Sequence, residues 1–174
     1  RLYTAVTVER ESLRSVDVVL AKYEFVAQYG RRWGAKRVVV NYNWTDSQRF
    51  APATQQLPEV PPVIIVVNRH VPAKDPSPIN EAVASLEARL VLVGDGPLHG
   101  RLIELVNRLG VGSKVELLPS VDNRRMHELY REASVYASVN QYGGISKGTL
   151  EAMACGLPIV CSKPLWETAP EQLD

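Results

Sequence analysis

Hydrophobic and polar positions along the chain alternate in blocks, and the blocks differ in period. Short aliphatic runs at Val63–Val67, Arg89–Gly94, Lys114–Leu118, Ser134–Val139 and Pro158–Ser162 read as strands, and several of them are continuous rather than alternating. Continuous runs suit a parallel sheet covered by helices on both faces, because neither face of the strand meets water. Between the runs lie segments of helical spacing: a short one within Ile79–Leu86, then Leu98–Leu109, the neighbourhood of Arg124–Glu132, and the stretch from Gly143 to Pro158. In the second, Leu98, Leu102, Leu105, Val106 and Leu109 form one apolar stripe and Gly110 follows as a stop. In the last, Leu150, Met153, Ala154 and Leu157 are spaced to make the buried face, which turns Glu151 away from it; Gly156 and Pro158 end the helix. This alternation predicts an α/β fold with a doubly wound, Rossmann-like parallel sheet.

The first 43 residues carry a shorter version of the same pattern. A helix around Thr7–Arg14, a strand near Val16–Ala21, a helix from about Glu24 and a strand at Arg37–Asn43 suggest a βαβ unit, too small to bury a core alone. From Trp44 to Pro62 the periodicity fades and Thr, Gln, Pro and Asp dominate up to Pro61-Pro62. That composition predicts an interdomain linker, with a long surface loop as the alternative. The expected organisation is a βαβ piece over 1–43, a linker over 44–62 and an α/β domain over 63–174. Opening at Arg1 and stopping at Asp174 in mid-pattern, the chain is expected to be a segment of a longer enzyme.

Composition narrows the class without naming the chemistry. With 174 residues, 45% hydrophobic and 22% charged, the chain has the make-up of an ordinary globular protein. A net charge of +1 argues against a dedicated nucleic-acid binder, so no nucleic-acid partner is expected. Cys155 and Cys161 lie in or beside apolar runs and read as buried reduced thiols, which fits a cytoplasmic location. No apolar stretch approaches the ~20 residues of a membrane span.

In an open α/β sheet, ligands bind beyond the carboxyl ends of the strands, so the chemistry is sought in the loops that follow them. The stretch Asn68–Lys74 places two permanent cations, Arg69 and Lys74, on one loop. Their spacing alone favours solvated surface charges, with an anion grip as the alternative. Gly94-Asp95-Gly96-Pro97 is a weak match to a dinucleotide fingerprint, because the third glycine, Gly100, comes one position late; a tight turn explains it. Pro119–Asn123 reads as a turn with a helix cap, with short polar groups that would also suit the edge of a base. The stretch from Gly143 combines glycines, through which backbone amides can approach an anion, with a helix start and one carboxylate, Glu151. His70, His99 and His127 are too scattered for a metal-ligand pattern, and no metal is expected. His127 reads as a packing or surface histidine.

Taken together, NRHVPAK at Asn68–Lys74, LVLVGDGP at Leu90–Pro97, VELLPSVDNRRMHELYREASVYAS at Val115–Ser138 and LEAMACGLPIV at Leu150–Val160 resemble retaining glycosyltransferases of the GT-B fold, specifically glycosyltransferase family 4. The resemblance is strong over residues 63–162 and weaker over 1–43, which looks like the last βαβ stretch of the N-terminal, acceptor-side domain. It implies that 63–174 is the donor-binding domain, truncated at its C-terminus. It further implies that Arg69 and Lys74 clamp the donor diphosphate and act on the leaving group. By the same resemblance, backbone amides of Gly144, Ile145 and Ser146 meet the phosphates, Glu151 holds the ribose hydroxyls, and Pro119, Ser120 and Val121 lie against the base. The first glutamate of the family's pair falls on Gly143, so a sugar contact would have to come from Asn140, Gln141 or the backbone at Gly143. Asp75 also departs, standing where the family has a glycine. The implied partners are a nucleotide-diphosphate sugar and a glycan, lipid or small-molecule acceptor, without cofactor or metal. A cytoplasmic location is implied, with peripheral association at the cytoplasmic membrane face through the N-terminal domain as a further option. The chain alone is expected to be inactive. A non-catalytic nucleotide-sugar binding module and a GT-B sugar-nucleotide epimerase remain as alternatives.

Overall fold

A computed structural model describes residues 2–53, 61–139 and 145–162, with side chains in the first helix from Thr7 onward. The described residues fall into two compact units, one within 1–43 and the other within 44–162.

The first unit contains helix α1 (Leu2–Ser15), strand β1 (Val19–Ala21), helix α2 (Glu24–Arg32) and strand β2 (Val38–Val40). The two strands pair in parallel, Val19 opposite Val38 and Ala21 opposite Val40, which makes the expected βαβ unit. The strands are shorter than their apolar runs: Val16 and Val18 lie outside β1 and are exposed. Helix α2 buries Ala27 and Gly30, and a Cβ at Gly30 would meet Val38 and Val19 at ordinary contact distance. Glu24 in its first turn and Arg31 and Arg32 in its last complement the helix dipole. The Arg10 guanidinium lies over the Trp33 ring, 3.5 Å from its centroid, and ties α1 to the end of α2.

The second unit is built on strands β3 (Val63–Val67), β4 (Arg89–Val93), β5 (Val115–Leu118), β6 (Val135–Ser138) and β7 (Ile159–Cys161). They form one sheet in the order β5-β4-β3-β6-β7, and every pairing is parallel. Helices α3 (Ser77–Ala84), α4 (His99–Leu109), α5 (Met126–Glu132) and α6 (Lys147–Ala154) connect them. Alternate strand residues feed two cores. Val66, Leu90 and Leu92 join Val83 of α3 and Val106 of α4 on one face; Ile65, Val91 and Val93 join Met126 and Tyr130 of α5 and Ala152 of α6 on the other. This is the doubly wound α/β architecture that the aliphatic runs predict. Strand order reverses between β3 and β6, so the loops after these two strands flank the crevice in which such sheets bind ligands.

Two local expectations are revised. The described part of the expected linker, residues 44–53, is irregular but not free: Phe50 is buried against Tyr130, and Arg131 donates from Nε to the Ala51 carbonyl at 3.0 Å. The buried face of α6 is also not the expected one. Thr149, Glu151 and Ala152 are buried, whereas Met153 is exposed. Small residues face inward because Tyr130 and Tyr136 fill the space from the opposite side: a Cβ at Gly148 would come within 3.0 Å of the Tyr136 hydroxyl and 3.3 Å of that of Tyr130. The stop is as expected, with Gly156 in the left-handed region at φ 79° and its amide bonded to Met153.

Candidate functional site

The loop after β3 is held in place by the loop after β4. Asn68 N–H bonds the Val93 carbonyl, His70 N–H bonds that of Asp95, and Leu98 N–H bonds that of His70. The chains run so close that a Cβ at Gly94 would sit 1.8 Å from the Asn68 carbonyl oxygen, and one at Gly96 2.5 Å from that of His70. Both glycines also have φ values of the left-handed side, 145° and 152°. The GDGP glycines therefore admit a neighbouring loop of the protein itself, and Pro97 lies in the turn ahead of α4 rather than within it.

Val71 leads into a tight 3-10 turn over Pro72–Lys74, in which Lys74 N–H bonds the Val71 carbonyl at 2.8 Å. Arg69 and Lys74 thus both belong to the segment between β3 and α3. Arg69 is exposed and Lys74 half-buried, and among the described residues neither forms an ion pair, which leaves both charges available to an anion. Asp75 has its own role: Oδ1 accepts from both the amide and the hydroxyl of Ser77, capping the start of α3. Its backbone, at φ −70°, needs no glycine.

Across the switch point, Ile145 is fully buried and Ser146 caps α6, its Oγ accepting from the Thr149 amide at 3.1 Å. With Thr149 served, the amides of Lys147 and Gly148 remain at the helix end without an intrahelical acceptor, where the dipole favours negative charge. Asn140, Gln141, Gly143 and Gly144 lie outside the described residues.

Glu151 is only 4% exposed. The Tyr130 hydroxyl donates to its Oε2 at 3.2 Å, the Lys147 ammonium stands 3.8 Å from Oε1, and among the described residues the buried Oε1 makes no hydrogen bond. Burial raises the Glu151 carboxyl above the ordinary carboxylate range, while Tyr130, Lys147, Asn123 and Arg49 pull it back. A buried carboxylate oxygen with no donor is costly unless something supplies one. Glu151 thus sits in the buried face of α6, not away from it as its spacing suggests.

The loop after β5 leaves Pro119 and Ser120 exposed, with Val121 packed against the core that contains Tyr130 and Tyr136. Asp122 closes a turn ahead of α5 rather than capping the helix itself, its Oδ1 accepting from the Arg124 amide at 2.9 Å. Asn123 is the residue of this loop that reaches Glu151, and Arg49 donates to Asn123 Oδ1 at 3.3 Å. Tyr130, Asn123 and Arg49 escape sequence reasoning because they lie on three separate segments; only the Met126–Tyr130 spacing marks Tyr130 as inward-facing. His70 is likewise unforeseen. It is fully buried, its ring lies within 5° of parallel to that of His99, and the two Nδ1 atoms are 3.0 Å apart. Among the described residues, no group of three or more His, Cys, Asp or Glu side chains is gathered for a metal, and no helix is long and apolar enough to cross a membrane.

The loops at the point where strand order reverses thus carry two cations, without ion pairs among the described residues, after β3, and a capped helix start followed by a buried carboxylate after β6. Residues 47–172 match the family described as glycosyl transferases group 1. The chain belongs to that family. Its relatives include D-inositol 3-phosphate glycosyltransferase 2 of Catenulispora acidiphila, 30% identical over 161 residues, which are 80% of this chain and 37% of the relative. The D-inositol 3-phosphate glycosyltransferase of Mycolicibacterium smegmatis is 27% identical over 72% of this chain and 32% of its own length. This group 1 glycosyl transferase chain thus spans about a third of the curated relatives it matches. Among solved structures, sucrose-phosphate synthase from Thermosynechococcus elongatus superposes with a TM-score of 0.78 at 25% identity, covering 91% of this chain and 44% of that one. Anabaena HepE, solved with UDP and glucose, shares the fold at a TM-score of 0.76 and 20% identity, over 91% of this chain and 48% of its own. Those structures are GT-B glycosyltransferases, so the fold of this chain is the GT-B kind.

Proposed function

We propose that this chain is the donor-binding half of a retaining, family 4 type glycosyltransferase. The intact enzyme would move a hexosyl group from a nucleotide-diphosphate sugar to a glycan, lipid or small-molecule acceptor without a metal. The observation that carries this reading is Glu151, a buried carboxylate on the helix after β6 whose Oε1 makes no hydrogen bond among the described residues. A ribose hydroxyl is a donor of the kind it lacks. Arg69 and Lys74, with no ion pair among the described residues, are suited to a diphosphate, as are the amides at the start of α6.

Those groups also suggest the mechanism. The sugar–phosphate bond breaks with negative charge growing on the departing diphosphate, and cations and helix amides fixed in advance stabilise that charge without reorganising. Each such contact contributes on the order of 3 kcal/mol to lowering the barrier. Pro119, Ser120 and Val121 would lie against the base and Asn140, Gln141 or Gly143 against the sugar. The acceptor site would reside in the part of the enzyme beyond this chain, where membrane association would also arise.

The test is calorimetric titration of the chain with UDP, GDP and ADP, UDP first because HepE holds it. Binding of one of the three, unchanged by a chelator, is expected; failure to bind any of them by the folded chain would overturn the proposal.

A further inference from the structure

The Glu151 carboxylate is oriented from outside its own helix. Tyr130 on α5 is completely buried, its ring between those of Phe50 and Tyr136 at centroid distances of 6.0 and 6.2 Å. A phenylalanine would fill that space equally well, and a buried hydroxyl is unfavourable unless it has a partner. The partner is Oε2 of Glu151, at 3.2 Å. A carboxylate turns about its last torsion in a broad well, so a fixed donor on one oxygen helps decide where the other points; Asn123 and Lys147 also act on the Glu151 side chain. The remaining oxygen, Oε1, is buried and, among the described residues, makes no hydrogen bond, with the exposed Lys147 ammonium 3.8 Å away.

Close packing makes this arrangement rigid. The Tyr136 hydroxyl donates to the Val67 carbonyl at 3.3 Å, the last residue of β3 and the one before the Arg69 loop. Gly148, in the first turn of α6, leaves room for both phenol hydroxyls and for the Val67 carbonyl, all within 3.4 Å of where its Cβ would stand. The two tyrosines therefore connect the end of β3 to the helix that carries Glu151.

We infer that Tyr130 is a positioning residue of the ribose subsite: by donating to Oε2 it holds Glu151 with Oε1 presented to the ligand, and so sets the preference for ribose over deoxyribose. This rests on the reading of Glu151 as the ribose ligand. A hydroxyl hydrogen bond to a charged acceptor is strong enough for its loss to be read as about a tenfold change or more.

The experiment compares the wild-type chain, Tyr130→Phe and Glu151→Gln by calorimetry with UDP and its 2′-deoxy and 3′-deoxy analogues, from neutral pH downward, because burial raises the Glu151 carboxyl. The wild type should prefer UDP over at least one deoxy analogue, and Tyr130→Phe should lose about tenfold of that preference with little change toward the analogue. Its UDP affinity should also begin to fall at a higher pH on acidification, because Glu151 without the Tyr130 donor takes a proton more readily; Lys147, Asn123, Arg49, Tyr136 and Cys155, the other groups interacting with it, are unchanged. A preference intact in Tyr130→Phe but abolished in Glu151→Gln would overturn the role of Tyr130 and leave the Glu151 reading standing. A preference intact in both variants, or a wild type that binds no nucleotide, would overturn the two together. A ligand-free check follows the Glu151 carboxyl by carbon NMR: its midpoint should rise in Tyr130→Phe, and an unmoved midpoint would count against the inference whatever the ligand data.

Discussion

The Nδ1 atoms of His70 and His99, 29 positions apart in sequence, face each other at 3.0 Å, so one proton lies between the two rings and a second is repelled. Burial lowers the His70 pKa from its ordinary 6.5, and the charge of His99 lowers it further, against weaker opposite effects of Asp95 and Asp75. The native state therefore resists a proton that the unfolded chain accepts. Stability from this group is complete above about pH 6.5 and is lost as pH falls from there through the depressed native value. Thermal melts of the wild type should show a midpoint that declines on acidification below about pH 6.5. His70→Leu, which keeps an apolar filling and removes the unpartnered Nε2, should flatten that decline. An identical slope in both proteins would exclude His70 as its source.

Gly94 and Gly100 should separate cleanly under substitution by alanine. At Gly94 a Cβ would meet backbone at 1.8 Å, which no side-chain movement relieves, and the φ of 145° is strained for alanine. Gly94→Ala should destabilise by roughly 2–4 kcal/mol in urea unfolding. Gly100, inside α4, has nothing within 4 Å of its Cβ position. Gly100→Ala should stabilise by about 0.5–1 kcal/mol through helix propensity alone. Comparable losses at both positions would contradict the crowding at Gly94.

Strands were legible in the sequence because burial on both faces leaves uninterrupted aliphatic runs, and β3 matches its run residue for residue. Topology directed attention to the loops beyond the strand ends, where the two cations after β3 and the glycine–helix stretch stand, while the roles expected of them came from the family resemblance. The burial of Glu151 was not legible. Spacing arguments weigh large apolar residues, whereas the buried residues of α6 are Thr149, Glu151 and Ala152, followed by Cys155 at its C-cap, with Tyr130 and Tyr136 supplying the bulk from elsewhere. Pairings such as His70 with His99 and Tyr130 with Glu151 arise only where distant segments meet, so no local pattern announces them.

Arg69 and Lys74 should matter for phosphate and not for fold. Neither has an ion-pair partner among the described residues, so alanine at either position removes no internal contact of that kind. Each substitution should weaken nucleoside-diphosphate binding about tenfold or more, as expected for a charge-assisted hydrogen bond, with a midpoint of unfolding within about 0.5 kcal/mol of the wild type. Affinity for the unphosphorylated nucleoside is the control and should stay unchanged. Equal losses for nucleoside and nucleoside diphosphate would place the two side chains away from the phosphates.

Glu151 should show a conflict between stability and binding. Burial is the largest influence on its carboxyl and raises the pKa above the ordinary 4.5; Tyr130, Lys147, Asn123 and Arg49 offset part of it. For an acid shifted upward on folding, the native state binds the proton more tightly. The favourable contribution is then fully present below about pH 4.5 and is lost as pH rises through the native value, so at neutral pH the ionised group weighs against folding. Glutamine keeps the shape and removes the charge. Glu151→Gln should therefore gain on the order of 1 kcal/mol at neutral pH, and the gain should shrink toward zero as the wild-type carboxyl becomes protonated. Nucleotide affinity should fall in the same variant, because a neutral amide oxygen accepts more weakly than a carboxylate. Urea unfolding at neutral and acidic pH, with calorimetry at neutral pH, measures both effects. A Glu151→Gln chain less stable than the wild type at neutral pH would mean that the four neighbours more than compensate the burial of the charge.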